Sequence, residues 1–160
     1  MILHPIKPVY HEDSRILILG SFPSVRSREE GFFYGHPQNR FWRTLSHVFE
    51  DREPHTIEEK REFLLRHHVA LWDVIASCEI EGSSDSTIRN VVPNDVHLIL
   101  QAAPIARIFT NGKTAHRLYQ QHLLPQTGRE ATCLPSTSPA NAAWGQDRLD
   151  AAWQILKDAF

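Results

Sequence analysis

A chain of 160 residues, 41% hydrophobic and 22% charged, is long enough for one domain with a sizeable core and too short for two. Its formal net charge of −2 offers nucleic acid no bulk attraction, so a nucleic-acid role needs a local basic patch. Two cysteines, Cys78 and Cys133, exclude a disulfide scaffold, and no apolar leader appears among the polar and prolyl residues at the start. A cytoplasmic protein outside the membrane is the expectation.

In chain order, Ile16 to Leu19 is a continuous apolar run and predicts a buried strand. It feeds a long loop rich in Gly, aromatics and amides, Gly20-Ser-Phe-Pro-Ser24 and then Gly31 to Trp42. Phe41, Trp42, Leu45, Val48 and Phe49 have helical spacing, so 39–49 reads as a helix. Thr56 with Glu59 forms a capping box ahead of a helix running to about His67. Val69 to Trp72 is a short strand or an extended entry to a loop, and 82–86 is a loop by composition. Pro93-Asn94 opens a helix with Val96, Ile99 and Leu100 on one face. Ala106 to Thr110 predicts a second buried strand, turned by Asn111-Gly112 into a helix carrying Ala115, Leu118 and Tyr119. Ala131 to Leu134 is a weaker strand, with Cys133 expected to point into the core. The last helix, about 146–159, places Leu149, Ala152, Trp153 and Leu156 at i, i+3, i+4, i+7. Strands alternating with helices predict a three-layer α/β/α domain with a mainly parallel sheet.

Three strand ends carry unusual polar loops: after Leu19, around Trp72-Asp73, and after Leu134. Singly, each is a solvent-facing turn; together, in a parallel sheet, they converge on one edge where ligands bind. Several chemistries fall away. Gly112-Lys-Thr114 resembles the end of a phosphate-cradling loop, but that motif needs a glycine at position 107, where Arg107 stands. The 10 histidines contain no His-Glu-x-x-His, and adjacent His67 and His68 cannot share a helix face, so packing or surface roles are expected. No Gly-x-Ser-x-Gly elbow occurs. Leu134-Pro-Ser-Thr-Ser-Pro-Ala-Asn-Ala142 differs, because its hydroxyls and backbone N–H groups suit phosphate contacts, or else form a rigid turn.

Gly20-Ser-Phe-Pro-Ser24, Gly35-His-Pro-Gln-Asn-Arg-Phe-Trp42 and Leu134-Pro-Ser-Thr-Ser138 resemble the uracil-DNA glycosylase superfamily. The middle segment is similar to its mismatch-specific uracil/thymine branch. With Leu71-Trp-Asp-Val-Ile-Ala-Ser-Cys78 added, the set is most similar to the hypoxanthine-DNA glycosylase (DNA-deoxyinosine glycosylase) branch, from about residue 14 onward. The resemblance implies one domain over 1–160 with a central, mostly parallel four-stranded sheet. It implies hydrolysis of the N-glycosidic bond of a deaminated base, foremost hypoxanthine, in base excision repair. The partner is double- or single-stranded DNA with a damaged base, the chain is a monomer, and neither metal nor cofactor is needed. The iron–sulfur branch, held by four cysteines, is excluded. The alternatives are a uracil- or mismatch-directed glycosylase and a catalytically silent DNA-binding module.

One departure stands out. Many relatives carry Asp, Asn or Glu at the third position of the first motif to handle water, and this chain has Phe22. The resemblance moves that duty to Asn39, whose amide holds water and whose carbonyl dipole stabilises positive charge. It makes Tyr34 the face on which a flipped base stacks, with Phe33 the near alternative and Phe32 packing. Asp73 stands where several relatives read the base with Asn. A carboxylate only accepts hydrogen bonds, so it welcomes the N1–H of hypoxanthine and repels the bare N1 of adenine. The bland role for Asp73 is a helix cap. Phe22 and Ser24 belong to a turn whose backbone N–H groups meet the departing base. Ser136 and Ser138 grip phosphate, and Asn141, between Ala140 and Ala142, enters the gap in the duplex. Lys113, Arg89 and Arg26 supply local positive charge.

Overall fold

The computed structural model describes residues 1–160. Its main sheet has four parallel strands: β2 (Ile16–Gly20), β3 (Val69–Asp73), β6 (Arg107–Asn111) and β7 (Ala131–Leu134), in the spatial order β3-β2-β6-β7. All five residues of both β2 and β3 are buried, as expected of strands covered on both faces. Helices α1 (Val25–Glu30), α2 (Phe41–Val48) and α3 (Ile57–Arg66) lie between β2 and β3 in the chain. Helix α4 (His97–Ala102) precedes β6, while α5 (Lys113–His122) and α6 (Leu124–Thr127) link β6 to β7. The β2-to-β3 and β6-to-β7 crossovers run in opposite directions, so right-handed connections put their helices on opposite faces. The last helix, α7 (Gln146–Trp153), returns to α2, with Trp153 edge-on to Phe41 at 5.9 Å between ring centroids. The expected three-layer parallel architecture is the one found.

A second sheet is absent from the sequence reading. It is antiparallel, in the order β1 (Ile2–Leu3), β4 (Ile75–Glu79), β5 (Arg89–Pro93). Its strands are short, and β5 carries three exposed residues in five with no apolar alternation, so no period of two marks it. Pro93 consequently ends a strand instead of opening a helix, and α4 begins at His97. The final helix stops at Trp153 and tightens into a 3-10 turn over Gln154–Ala159. Cys133 is exposed, not in the core: its neighbour Leu134, one residue on and so on the opposite face of β7, is the buried one.

The capping box holds in full. Thr56 Oγ1 accepts from the Glu59 N–H at 3.0 Å, and Glu59 Oε1 accepts from the Thr56 N–H at 3.0 Å. The N-terminal segment is sewn to the edge of the main sheet by Val9, which exchanges backbone bonds of 3.0 and 2.9 Å with Leu71. No helix is long and apolar enough to cross a membrane.

Candidate active site

All four parallel strands end on one side. Gly20 lies opposite Asp73 in the β2–β3 register, and Asn111 opposite Leu134 in β6–β7. Connections leave β2 and β6 in opposite directions, which opens a crevice between them at their carboxyl ends. A cavity of about 370 Å³ occupies it. Phe22, Ser24, Tyr34, Asn39, Asp73, Ser136 and Ser138 all line this cavity; Asn141 does not.

Asn39 precedes α2, and its Oδ1 accepts from the Phe41 N–H at 3.0 Å and from Thr137 Oγ1 at 2.8 Å. Thr137 is wholly buried and is itself clasped by Asn111, which donates from Nδ2 to Thr137 Oγ1 and accepts from the Thr137 N–H, each at 3.0 Å. Both lone pairs of the Asn39 carbonyl are therefore used, which corrects the expected role of its dipole at the sugar. What Asn39 has left to offer is the Nδ2 amide, a donor. Neither Thr137 nor Asn111 was singled out from the sequence; their signal is only that each lies at the end of a strand or in the loop beyond it.

Tyr34 has a left-handed backbone, φ 52°, uncommon for a residue with a side chain. Its ring lies on Phe41 at 4.0 Å and 18°, which covers one face. The hydroxyl is buried without a hydrogen-bond partner. Burial, then the nearby Asp73 carboxylate, pushes its ionisation far above the ordinary tyrosine range, so it stays a neutral phenol. Gly20 is what lets these groups close up: a Cβ there would fall 2.7 Å from Tyr34 Oη and collide with Asp73 Oδ1. Phe33 is buried and also lines the cavity, while Phe32 stacks on Trp42 at 6.1 Å, as expected for packing.

Phe22 is 8% exposed, with the Arg28 guanidinium 5.5 Å from its ring centroid. Arg28 also donates to the Gly82 carbonyl at 2.7 Å, which ties this turn to the 82–86 loop. Ser24 caps α1 by accepting from the Ser27 N–H at 3.1 Å. The N–H groups of Phe22 and Ser24 donate to no protein acceptor.

Asp73 is 3% exposed, and it is no helix cap, because β4 follows after Val74. Its Oδ2 accepts from His4 Nε2 at 2.8 Å. Asn94 fixes the backbone of this corner by donating from Nδ2 to the carbonyls of Asp73, 2.9 Å, and Ile75, 3.1 Å. A second carboxylate, Asp85, reaches the cavity from the 82–86 loop and accepts from Ser21 Oγ at 3.2 Å. Partial desolvation at the cavity mouth, opposed by the Ser21 bond and reinforced by the Asp73 charge, raises its carboxyl above the ordinary value. His36 also lines the cavity, with its Nδ1 accepting from the Gln38 N–H at 3.1 Å. His36 is thus an exception to the packing and surface roles expected of the histidines. Asp85 and His36 sit in segments whose composition announces only loops.

Ser136 Oγ accepts from the Ser138 N–H at 3.1 Å, and Ser138 Oγ from the Ala140 N–H at 3.2 Å. Each hydroxyl proton remains to be donated outward. Asn141 is spent inside the loop, donating to the Ser136 carbonyl at 3.0 Å, while Arg40 donates to the carbonyls of Asn141 and Trp144. Of the three cations, Arg26 pairs with Glu30 at 2.8 Å and Arg89 with Glu79 at 3.2 Å. Lys113 is exposed at the start of α5, next to Gly112, whose φ of 96° disfavours any side chain and where a Cβ would lie tight against Ser136, 3.0 Å from its Cβ.

Fold and crevice together define a parallel α/β protein whose strand ends open into one cavity lined by aromatic rings, the carboxylates of Asp73 and Asp85, and serine hydroxyls. The Uracil DNA glycosylase superfamily matches residues 8–159, and the chain belongs to that superfamily. It is similar to a hypoxanthine DNA glycosylase of Methanosarcina acetivorans, 35% identical over 98% of each chain. It is likewise 35% identical to a hypoxanthine DNA glycosylase of Methanosarcina barkeri, over 84% of this chain and 85% of that one. Among solved structures it matches one of a protein from Methanosarcina acetivorans assigned as a uracil DNA glycosylase. That match has a TM-score of 0.80 and 33% identity, over 98% of this chain and 99% of the other.

Proposed function

We propose that this protein is a monofunctional DNA glycosylase that hydrolyses the N-glycosidic bond of hypoxanthine in DNA, acting as a single cytoplasmic domain and a monomer. The observation that carries the reading is Asp73, a buried acceptor at the end of β3 on the cavity wall. It accepts the N1–H that hypoxanthine has and adenine lacks. The relatives named above as hypoxanthine DNA glycosylases support the same substrate.

The base leaves the stack, at a cost of a few kcal/mol, and stacks on the open face of Tyr34, which returns about 1–3 kcal/mol. The bond breaks through an oxocarbenium-like sugar, and the departing anionic base meets the free N–H groups of Phe22 and Ser24. Asn39 Nδ2 donates to one lone pair of the attacking water and leaves the other for C1′. Asp85 is the second carboxylate on the wall and takes the proton that this water loses. Ser136 and Ser138 donate their hydroxyl protons to phosphate. No lysine lines the cavity, so no amine stands ready to form an imine with the sugar, which favours a hydrolase without strand cleavage.

A second reading, excision of uracil, is favoured by the same Asp73, since uracil N3–H satisfies it equally. A third, a silent DNA-binding module, is favoured by Phe22 at the usual polar position. One gel assay separates them. Duplexes containing inosine, uracil or xanthine are incubated with the protein and cleaved by hot alkali. Strand scission at inosine without added metal is expected. Scission at uracil alone moves the substrate, and none on any duplex leaves the silent module. Asp73→Ala is expected to abolish inosine excision while leaving the far-ultraviolet circular dichroism unchanged.

A further inference from the structure

The two oxygens of Asp73 have different neighbours. Oδ1 lies over Gly20, a cavity-lining residue, at the point where a Cβ would collide with it. Oδ2 accepts from His4 Nε2 at 2.8 Å. His4 does not line the cavity; it holds the carboxylate from behind, its side chain 3% exposed. The imidazole is set on every side. Its Nδ1 accepts from the Ile6 N–H at 3.2 Å, which leaves Nε2 as the donor. Phe22 meets the ring edge-on at 5.8 Å and Phe33 lies 6.2 Å away. The His4 N–H bonds the Ala76 carbonyl at 2.8 Å, next to the pairing of β1 with β4.

We propose that His4 is a specificity-determining positioning residue: by occupying Oδ2 it makes Asp73 a one-oxygen reader, which admits hypoxanthine and turns guanine away. The inference rests on the hypoxanthine reading of the site. Guanine differs from hypoxanthine only in its 2-amino group and also presents an N1–H. A carboxylate with both oxygens open matches the N1–H and N2–H pair of guanine in a bidentate grip and prefers it. With Oδ2 held by His4 from behind the wall, that oxygen is drawn away from its place beside Oδ1, and the 2-amino group loses its half of the bidentate grip. An unsatisfied donor of that kind costs a factor of about 5–150, while hypoxanthine has only a C2–H there. An enzyme that takes bases out of intact DNA has to refuse guanine, a normal base, more firmly than any other that carries N1–H. Xanthine and uracil place a carbonyl at that position and bring no orphaned donor.

The test compares single-turnover excision of inosine and of guanine, each opposite thymine, by wild type, His4→Phe and His4→Gln. His4→Phe keeps an aromatic ring against Phe22 and Phe33 but has no N–H; His4→Gln keeps a donor. The inosine-to-guanine rate ratio is expected to fall at least about tenfold in His4→Phe and to stay within about threefold of wild type in His4→Gln. A merely structural role slows both substrates alike, so an unchanged ratio in folded His4→Phe overturns the inference while the glycosylase reading stands. Wild-type protein that leaves inosine intact sinks both. Should His4→Phe fail to fold, imidazole 1H–15N correlation on the wild type decides. The Nε2–H signal of His4 is expected to persist when inosine-containing DNA is bound, and its release from Asp73 would overturn the proposal.

Discussion

Thr137 Oγ1 donates to Asn39 Oδ1 at 2.8 Å, across 98 residues of sequence, and thereby turns the Asn39 amide so that only its N–H groups are unspent. The same hydroxyl accepts from Asn111 Nδ2, so the end of β6 and the loop after β7 jointly aim Asn39, two residues before α2. Losing one such bond costs about 0.5–1.5 kcal/mol, a factor of about 2–13. Thr137→Val is expected to slow single-turnover inosine excision by about that factor, and Thr137→Ser to restore it. Asn39→Ala removes the amide itself and is expected to lose at least about 100-fold. An Asn39→Ala rate equal to wild type would remove Asn39 from the chemistry.

Gly20 faces Asp73 in the sheet register, and both Asp73 Oδ1 and Tyr34 Oη crowd the space a side chain there would need. Gly20→Ala is expected to cost about 1–3 kcal/mol of stability by overpacking. It also pushes the carboxylate off its position, so inosine excision falls by more than the stability loss accounts for. Urea denaturation and single-turnover rates, measured on the same preparation, separate the two effects. Excision unchanged in Gly20→Ala would show that the Asp73 position is not critical.

Asp85 must be ionised to take a proton from water. Its carboxyl is raised above the ordinary value by desolvation, with the Asp73 charge adding to it. The acid limb of the excision rate is therefore expected above the value of an ordinary aspartate, with activity rising as pH rises through it. Asp85→Asn is expected to lower the rate about 100-fold and to flatten that limb. A pH profile from 4 to 8 for both proteins checks this, and an unaltered limb in Asp85→Asn would assign it to another group.

Stability at low pH has a different origin. Asp51, away from the site, accepts from His67 Nε2 and Arg66 Nη2, each at 2.7 Å, and its carboxyl is held below the ordinary range first by the His67 bond and then by Arg66. The folded state thus binds this proton less readily than the unfolded chain. The stabilisation is complete above the unfolded value of 3.8 and is lost as pH falls through the lower folded value. Asp51→Asn is expected to lower the urea midpoint at pH 7 and to leave a shallower loss between pH 4 and pH 2. Parallel acid limbs in the two proteins would refute this account.

Where the chain repeats an apolar period, the sequence was legible. Ile16–Gly20 and Arg107–Asn111 occur within one residue of their expected limits, and α5 follows Asn111-Gly112 and buries Ala115, Leu118 and Tyr119 as expected, because burial on fixed faces imposes a pattern that residue types betray. The Thr56–Glu59 capping box was equally local. Strands β4 and β5 were not legible, since an exposed strand such as β5, paired through its backbone, needs no alternation of side chains. Cys133 was misplaced because an apolar neighbour says nothing about which face of a strand is buried.

By itself the sequence determined the α/β class, the alternation of strands and helices, and the strand ends and loops in which Phe22, Tyr34, Asn39, Asp73, Ser136 and Ser138 lie, because periodicity and motif are properties of neighbouring residues. Which of these loops share a wall, and what stands behind them, was decided only in three dimensions. The parallel strand order carries four strand ends to one edge, the N-terminal segment runs along the outer side of β3 to set His4 on Asp73, and Thr137 and Asn111 close on Asn39. These contacts join residues 69, 98 and 26 positions apart, a separation over which no local pattern operates. Only the closing of the sheet and its crossovers brings them within hydrogen-bond distance.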